Sequence, residues 1–127
     1  RMYALPHEER VLKILRAYGA TRARLFGSAA RNELTPTSDI DILVEFGNDS
    51  GYQAFCKSVD AAVELEQELH RPVDLALSID PRMWQYIEPD LIELPLDTGN
   101  LTWTSYGKLV PPDWQRSLRV SKRLVTP

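Results

Sequence analysis

The sequence predicts a fold of the α/β (α+β) class, in which a small mixed β-sheet is flanked by helices. Two long segments carry apolar residues at the spacing of an amphipathic helix, and shorter segments between them have the period or composition of strands. The chain has 127 residues, of which 43% are hydrophobic and 26% are charged. This length is enough for one hydrophobic core and too short for two. We therefore expect one principal α/β domain.

The first part of the chain is predicted to contain a helix and two strands. The helix covers about residues 6–18, with Pro6 just inside its start, and carries one apolar stripe. That stripe consists of Val11, Ile14, Leu15 and Tyr18. A strand at residues 22–26 ends in a turn, and a second strand is predicted at residues 39–46 after a loop.

The second part is predicted to contain a long helix, a strand and a short helix. The long helix covers about residues 52–70 and follows a start signal of Gly, Asn, Asp and Ser at residues 47–51. Its apolar stripe consists of Tyr52, Phe55, Val59, Ala62, Val63 and Leu69. A strand at residues 73–77 and a helix at residues 82–87 complete the order. We expect the stripes of both long helices to pack against the sheet.

Two aspartates share one face of the second predicted strand. The apolar face of this strand consists of Ile40, Ile42, Val44 and Phe46. Asp39 and Asp41 lie on the opposite face, because side chains alternate along a strand. At a rise of about 3.3 Å per residue, the two side chains start roughly 6 to 7 Å apart. Mg²⁺ suits this spacing, since it takes oxygen ligands and is usually bound by a few carboxylates together with substrate phosphates.

A glycine-serine turn ends the first predicted strand, ten residues before these aspartates. Gly27 would let backbone amides approach a phosphate closely, and Ser28 adds a hydroxyl. A short helix at residues 29–31 would point its positive N-terminal end at the same phosphate. Each signal alone is usually an ordinary turn or a solvated surface, but the combination indicates a Mg²⁺-dependent nucleotidyltransferase.

A third acidic residue, Asp74, lies in the last predicted strand. Val73, Leu75 and Leu77 form the apolar face of this strand, and Asp74 faces away from it. If Asp74 lies beside the two other aspartates, like charges crowd one place and a cation is needed to neutralise them. Asp74 would then accept the proton of an incoming hydroxyl during in-line attack on an α-phosphorus. The alternative is a surface aspartate at the end of a strand.

Three segments resemble the minimal nucleotidyltransferase family of the DNA polymerase beta superfamily. They read LFGSAAR at residues 25–31, SDIDILV at residues 38–44 and RPVDL at residues 71–75, and the likeness covers about residues 8–97. The resemblance implies a nucleotidyltransferase fold that uses ATP. One departure is Asn32, where the family often has glycine. Because Asn tolerates a left-handed backbone, we expect the turn to persist.

The resemblance also implies the roles of six residues. The catalytic residues, which also bind Mg²⁺ as two ions, are expected to be Asp39, Asp41 and Asp74. The residues that contact the nucleotide phosphates are expected to be Gly27, Ser28 and Arg31. The presence of this complete set favours an enzyme over a module that only binds.

Free-standing members of this family are, by the same resemblance, often antitoxins that transfer AMP to a tyrosine of a partner HEPN-type ribonuclease. The HEPN pattern of Arg, four to six residues, then His-x-Tyr is absent here. The toxin is therefore expected to be another chain. Two alternatives stay open, a non-catalytic module that masks its partner and a nucleotidyltransferase acting on small molecules such as aminoglycosides. The chain length leaves no room for an added acceptor domain, so we expect the acceptor to be small or presented by another protein.

Charge is distributed unevenly along the chain. Residues 1–100 contain 10 Lys and Arg against 17 Asp and Glu, a net charge of −7, whereas residues 101–127 contain 5 against 1, a net charge of +4. The acidic part argues against binding of a nucleic-acid polymer. We expect a nucleotidyltransferase domain at residues 1–97 and a basic extension at residues 98–127, which could contact RNA, an acidic partner or neither. The single cysteine, Cys56, is expected to be buried and suits a cytoplasmic protein, and we expect no association with a membrane.

Overall fold

The computed structural model describes residues 3–96 and, further along the chain, the backbone of residues 102–103 and 109–110. The chain divides into two units, Arg1–Leu96 and Asp97–Pro127. Most of the basic extension predicted at residues 98–127 lies outside the described residues, so the expectation for its structure and contacts stays a prediction.

A four-stranded mixed sheet forms the centre of the first unit. Its strands are β1 (Arg22–Phe26), β2 (Ile40–Glu45), β3 (Val73–Ala76) and β4 (Ile92–Glu93), in the spatial order β3-β2-β1-β4. β1 is antiparallel to both of its neighbours, whereas β2 and β3 are parallel. The predicted mixed sheet is confirmed, and the three predicted strands end within one residue of their expected bounds. β4 was not predicted, since two residues are too few to show a period.

Helices precede, connect and follow these strands. They are α1 (Glu8–Ala17), α2 (Gly27–Ala30), α3 (Gly51–Leu69) and α4 (Pro81–Ile87), and a 3₁₀ turn at Glu88–Asp90 follows the last. The predicted helices are confirmed in place and order. Two starts differ from the prediction by two residues, and the other two by one residue. α2 begins at the glycine rather than at residue 29, and Pro6 lies before α1, whose cap is His7.

The start of α3 is stabilised by a capping box. The Ser50 hydroxyl accepts a hydrogen bond from the Gln53 amide at 3.1 Å, and the Gln53 side chain accepts one from the Ser50 amide at 3.0 Å. These two bonds satisfy backbone donors that have no partner within the helix. At the other end, His70 takes a left-handed conformation with φ 56° and ends the helix. The start signal predicted at residues 47–51 is confirmed.

The core lies on the apolar face of the sheet, beneath α1 and α3. All four residues of the apolar face predicted for β2 are buried: Ile40, Ile42, Val44 and Phe46. Val11 and Leu15 of α1 are fully buried, and Ile14 and Tyr18 pack against the same cluster. The predicted orientation of α1 is therefore confirmed.

The orientation predicted for α3 is wrong. Of the predicted stripe, Tyr52, Phe55, Val59 and Val63 are 78%, 57%, 45% and 50% exposed. The buried residues of the helix are Ser58, Ala61, Leu65 and Leu69, and of these Leu69 alone belongs to the predicted stripe, so its burial is confirmed. Both sets recur at helical spacing, so the period alone does not decide between them. We attribute the observed choice to close packing, since serine and alanine let the helix backbone approach its neighbours.

Two smaller features complete the description. Cys56 is half-buried and forms no disulfide, so the predicted full burial is wrong. No helix among the described residues combines the length and the apolar character that a membrane span requires. In the second unit, the two-residue strands β5 (Thr102–Trp103) and β6 (Leu109–Val110) pair antiparallel.

Two truncations on α3 test which of its faces is buried. We expect Leu65→Ala to lower the free energy of unfolding by about 2 to 5 kcal/mol, because it leaves a cavity in the core. Val63→Ala, on the exposed side, should change it by no more than about 0.5 kcal/mol. Urea unfolding followed by circular dichroism measures both values. A larger loss for Val63→Ala than for Leu65→Ala would contradict the observed orientation.

Candidate active site

The strand register places two of the predicted site residues side by side. Asp41 in β2 is the direct neighbour of Asp74 in the parallel strand β3. Adjacent strands lie about 4.8 Å apart, and side chains at paired positions point to the same face. Asp39 precedes β2 by one residue and lies two positions before Asp41, so alternation places it on that face as well. Asp39 and Asp74 are exposed and Asp41 is half-buried.

The glycine of the predicted phosphate turn lies directly against one of these carboxylates. Gly27 follows Phe26, which pairs with Asp41 across β1 and β2. The φ angle of Gly27 is +70°, a backbone conformation that residues with a side chain rarely adopt. A Cβ atom at this position would collide with Oδ2 of Asp41 and lie 3.2 Å from Cγ. Glycine is thus required here for two reasons, the backbone conformation and the close approach of the carboxylate.

Ser28 lies in the first turn of the four-residue helix α2 and is half-buried. Its carbonyl accepts a hydrogen bond from the Glu33 amide at 2.8 Å, which closes the loop after the helix. The loop passes through Asn32 with φ +58°, so the expected left-handed turn is confirmed at this departure from the family pattern.

Arg31 is held by carboxylates in this structure. Its Nη1 donates to Asp90 at 2.9 Å and its Nε donates to Glu33 at 3.3 Å. The hydrogen bond to Asp90, followed by that to Glu33, raises the pKa of the guanidinium above its usual value. The positive charge of Arg31 also lowers the pKa of Asp41, so its field reaches the aspartates.

Ionisation of the Asp41 carboxyl is unfavourable in the folded protein. Burial, and after it the negative charges of Asp74 and Asp39, raise the pKa of this carboxyl from 3.8 to about 6. Arg31 opposes this shift without cancelling it. The site therefore holds more negative charge than the nearby side chains compensate, which is the condition that a bound cation relieves.

The donor chemistry of the site fits Mg²⁺. All three acidic residues offer carboxylate oxygens, the ligands that hard divalent cations prefer, and uncompensated negative charge surrounds Asp41. Within residues 3–96, no three His, Cys, Asp or Glu side chains are gathered closely enough to enclose a metal ion by themselves. This openness agrees with the usual Mg²⁺ site, in which water and substrate phosphates complete the coordination.

Two further residues, whose roles the sequence did not indicate, position the acidic strands. Nη1 of Arg71 donates to the carbonyls of Thr35 and Ser38 at 3.1 and 3.2 Å, and so fixes the loop just before Asp39. The Glu66 carboxylate accepts a hydrogen bond from the Val73 amide at 3.0 Å, which ties the start of β3 to α3. Arg71 lies in the RPVDL segment, but this contact spans more than 30 residues and has no local signature.

Substitution of Gly27 tests the contact with Asp41. We expect Gly27→Ala to destabilise the fold by about 1 to 3 kcal/mol, through the left-handed backbone and the displaced carboxylate. Gly51→Ala is the matched control, since Gly51 begins α3 and has nothing within 4 Å of its Cβ position. It should be neutral or stabilising by up to about 1 kcal/mol.

A double-mutant cycle with Asp41→Ala separates the two causes. Part of the cost of Gly27→Ala should disappear when the carboxylate is absent. Equal costs in both backgrounds, measured by urea unfolding, would rule out the contact.

The raised pKa of Asp41 predicts a pH-dependent stability. The folded carboxyl binds a proton more readily than the unfolded one, so the folded state loses stability as pH rises from about 4 through about 6. Asn does not ionise. After allowance for solvent screening, Asp41→Asn should therefore be more stable than the wild type by about 1 kcal/mol above pH 6. The difference should vanish near pH 4.

Unfolding by urea at pH 4 and pH 7.5, with EDTA present, measures this effect. Asp60→Asn on the exposed side of α3 serves as the control for removal of one carboxylate away from the site. If the free energy of unfolding of the wild type instead rises relative to that of Asp41→Asn between pH 4 and pH 7.5, ionisation of Asp41 does not destabilise the fold.

The chain is similar in sequence to proteins of Methanocaldococcus jannaschii. "Putative protein adenylyltransferase MJ0435" is 44% identical over 68 residues, which are 54% of this chain and 70% of that protein. "Putative protein adenylyltransferase MJ1379" is 43% identical over 84 residues, which are 63% of this chain and 83% of that protein. The fold is also similar to that in "Crystal structure of the toxin-antitoxin with AMP-PNP", with a TM-score of 0.58 and 20% identity over 94% of each chain.

The family described as "Nucleotidyltransferase domain" matches residues 8–100. This range contains the whole mixed sheet, the turn at Gly27 and the residues Asp39, Asp41 and Asp74. The match spans most of the chain, and the residues that suggested the resemblance occupy adjoining positions in the structure. The chain belongs to the nucleotidyltransferase domain family.

Proposed function

We propose that this protein transfers AMP from ATP to a tyrosine hydroxyl of a partner HEPN-type toxin and so neutralises it as an antitoxin. The observation that carries the proposal is the pairing of Asp41 with Asp74, with Gly27 against the same carboxylate. The names of the M. jannaschii relatives support protein adenylylation. The fold shared with a toxin-antitoxin structure that contains AMP-PNP supports the nucleotide and the kind of partner. We assign the activity to residues 1–97.

In this proposal, three acidic residues bind the metal and the turn at residues 27–28 contacts the phosphates. Asp39, Asp41 and Asp74 would hold Mg²⁺, as two ions, and the metal would supply positive charge that stabilises the phosphate oxygens of ATP. Gly27 leaves space for the phosphates beside Asp41, and Ser28 offers them its hydroxyl. Arg31 reaches the phosphates only after it leaves Asp90 or Glu33, so its role requires an exchange of one carboxylate for another anion.

The reaction is a substitution at the α-phosphorus. The tyrosine oxygen forms a bond to this phosphorus, while the bond to the bridging oxygen breaks and pyrophosphate leaves. The phenolic proton passes to the carboxylate of Asp74, which is exposed and therefore accessible to an acceptor. Asp41 is less suited to this role because it is half-buried and lies against Gly27.

Transfer to a protein is measured directly by mass. Incubation of the chain with Mg-ATP and the protein encoded by the adjacent reading frame should add AMP to that protein, detected by intact mass spectrometry. We expect Asp39→Ala and Asp41→Ala to lower the rate by at least about 10³-fold, since they remove metal ligands. Asp74→Asn should lower it by about 10² to 10⁴-fold through loss of the base.

Glu9→Gln, which neutralises an exposed acid of α1, serves as the control and should transfer at the wild-type rate. If the variants of Asp39 and Asp41 label the partner as fast as the wild type, this site does not catalyse the transfer. If those variants neutralise the toxin without labelling it, the protein acts as a masking module. Labelling of an aminoglycoside with no protein present would instead indicate a small-molecule enzyme.

A further inference from the structure

An exposed apolar surface runs along the outer side of α3. We call it the α3 stripe, and it consists of Tyr52, Phe55, Val59 and Val63. Single exposed apolar residues are ordinary, but neighbouring ones at helical spacing form a continuous patch of the kind that marks an interaction site. From residue 52 to residue 63 the stripe is about 17 Å long, at the helical rise of 1.5 Å per residue. That is roughly three helical turns.

A groove joins the α3 stripe to the candidate active site. A cavity of about 370 Å³ lies between α3 and β3. Phe55, Val59 and Ala62 line it on the helix side, and Asp74 and Leu75 line it on the strand side. Two members of the stripe thus line the same cavity as Asp74, at the open edge of the sheet that β3 forms. An acceptor bound on the stripe could reach Asp74 without crossing the rest of the protein.

The groove has a size and composition suited to an aromatic side chain with a polar end. Its volume lies at the lower end of the range for pockets that bind small ligands. The walls are mixed, since Ser58 and Ser78 line the groove together with Asp74 and the apolar residues. A tyrosine suits such walls, because its ring is apolar and its hydroxyl seeks a hydrogen-bond partner.

The charges beside the α3 stripe are acidic. Within α3, which the structure describes in full, the exposed charged side chains are Asp60 and Glu64. The half-buried Lys57 of the same helix is bound to Asp49 at 2.6 Å. On the other edge of the stripe lies Asp74. A complementary partner therefore presents cations next to its apolar contact residues.

We propose that the α3 stripe and its groove form the docking surface for the acceptor protein, and this inference rests on the proposed function. The docked segment is apolar along one side, carries Lys or Arg at its edges and inserts one tyrosine into the groove with its hydroxyl at Asp74. The stripe supplies affinity, Asp60 and Glu64 supply orientation and rate of encounter, and the groove selects the residue to be modified.

A triple variant tests the docking surface. Tyr52→Ser, Val59→Ser and Val63→Ser combined should weaken binding of the protein encoded by the adjacent reading frame at least 10-fold. AMP transfer at a partner concentration below the wild-type Kd should fall by a similar factor. The Kd for Mg-ATP should change less than twofold, because Tyr52 and Val63 lie outside the groove and Val59 lines its helix side, away from Gly27. Calorimetry measures both affinities, and the retained Mg-ATP binding reports that the variant is folded.

The matched control removes exposed apolar groups elsewhere. Met83→Ser with Tyr86→Ser on α4 replaces side chains that are 48% and 65% exposed, and should change neither binding nor transfer. Asp60→Lys tests the charge argument. It should weaken partner binding, and the affinity of this variant should fall less with added NaCl than that of the wild type.

The outcomes separate this inference from the proposed function. If the wild type binds the partner but adds no AMP, the proposed function fails, and the loss of binding in the triple variant still tests the surface. If the triple variant binds and labels the partner like the wild type, the docking inference is overturned. If the wild type neither binds nor labels the partner, both fail. A wild-type dimer that the triple variant converts to a monomer in sedimentation would assign the stripe to a second copy instead.

Discussion

The approach of the Gly27 backbone to the Asp41 carboxylate is the constraint on which the site depends. It is possible only because β1 and β2 pair in a register that puts Phe26 opposite Asp41, and because residue 27 has no Cβ. The parallel register of β2 and β3 then places Asp74 on the other side of the same carboxylate. A turn suited to phosphate and a pair of acids thus meet within three adjacent strands. A shift of either register by one residue would turn the acids toward the core.

The carboxylates that the proposed function requires also lower the stability of the fold. A half-buried Asp41 beside Asp74 and Asp39 is costly when the carboxylates are ionised and no cation is present. The fully buried opposite face of β2, packed beneath α1 and α3, provides the apolar burial that holds the strands in place despite this cost. Arg71 and Glu66 anchor the loop and the strand that carry the outer acids. Carboxylates that lower the stability of the fold are expected at a functional site, where the residue types serve the binding of a charged ligand as well as folding.

Features with a local pattern in the sequence could be predicted, whereas features that depend on contacts between distant residues could not. Asp39 and Asp41 alternate on a strand with a fully apolar opposite face, and Gly27 ends the strand before it, so the residue pattern predicted this strand and this turn. The left-handed turn at Asn32 was expected from the family resemblance. The buried face of α3 was not predictable, because its two apolar sets have the same period and the choice depends on contacts with distant strands. β4 and the hydrogen bonds of Arg71 depend on long-range pairing and have no local signal either.

Direct observation of a bound cation tests the account most sharply. Crystals of the full chain grown with Mn²⁺ and a non-hydrolysable ATP analogue would give anomalous scattering from the metal alone. We expect a peak ligated by Asp41 and by at least one of Asp39 and Asp74, with the triphosphate against Gly27 and Ser28. A metal and a nucleotide bound elsewhere, with Asp41 and Asp74 free of both, would contradict the claim that the paired aspartates and the glycine turn form one catalytic site.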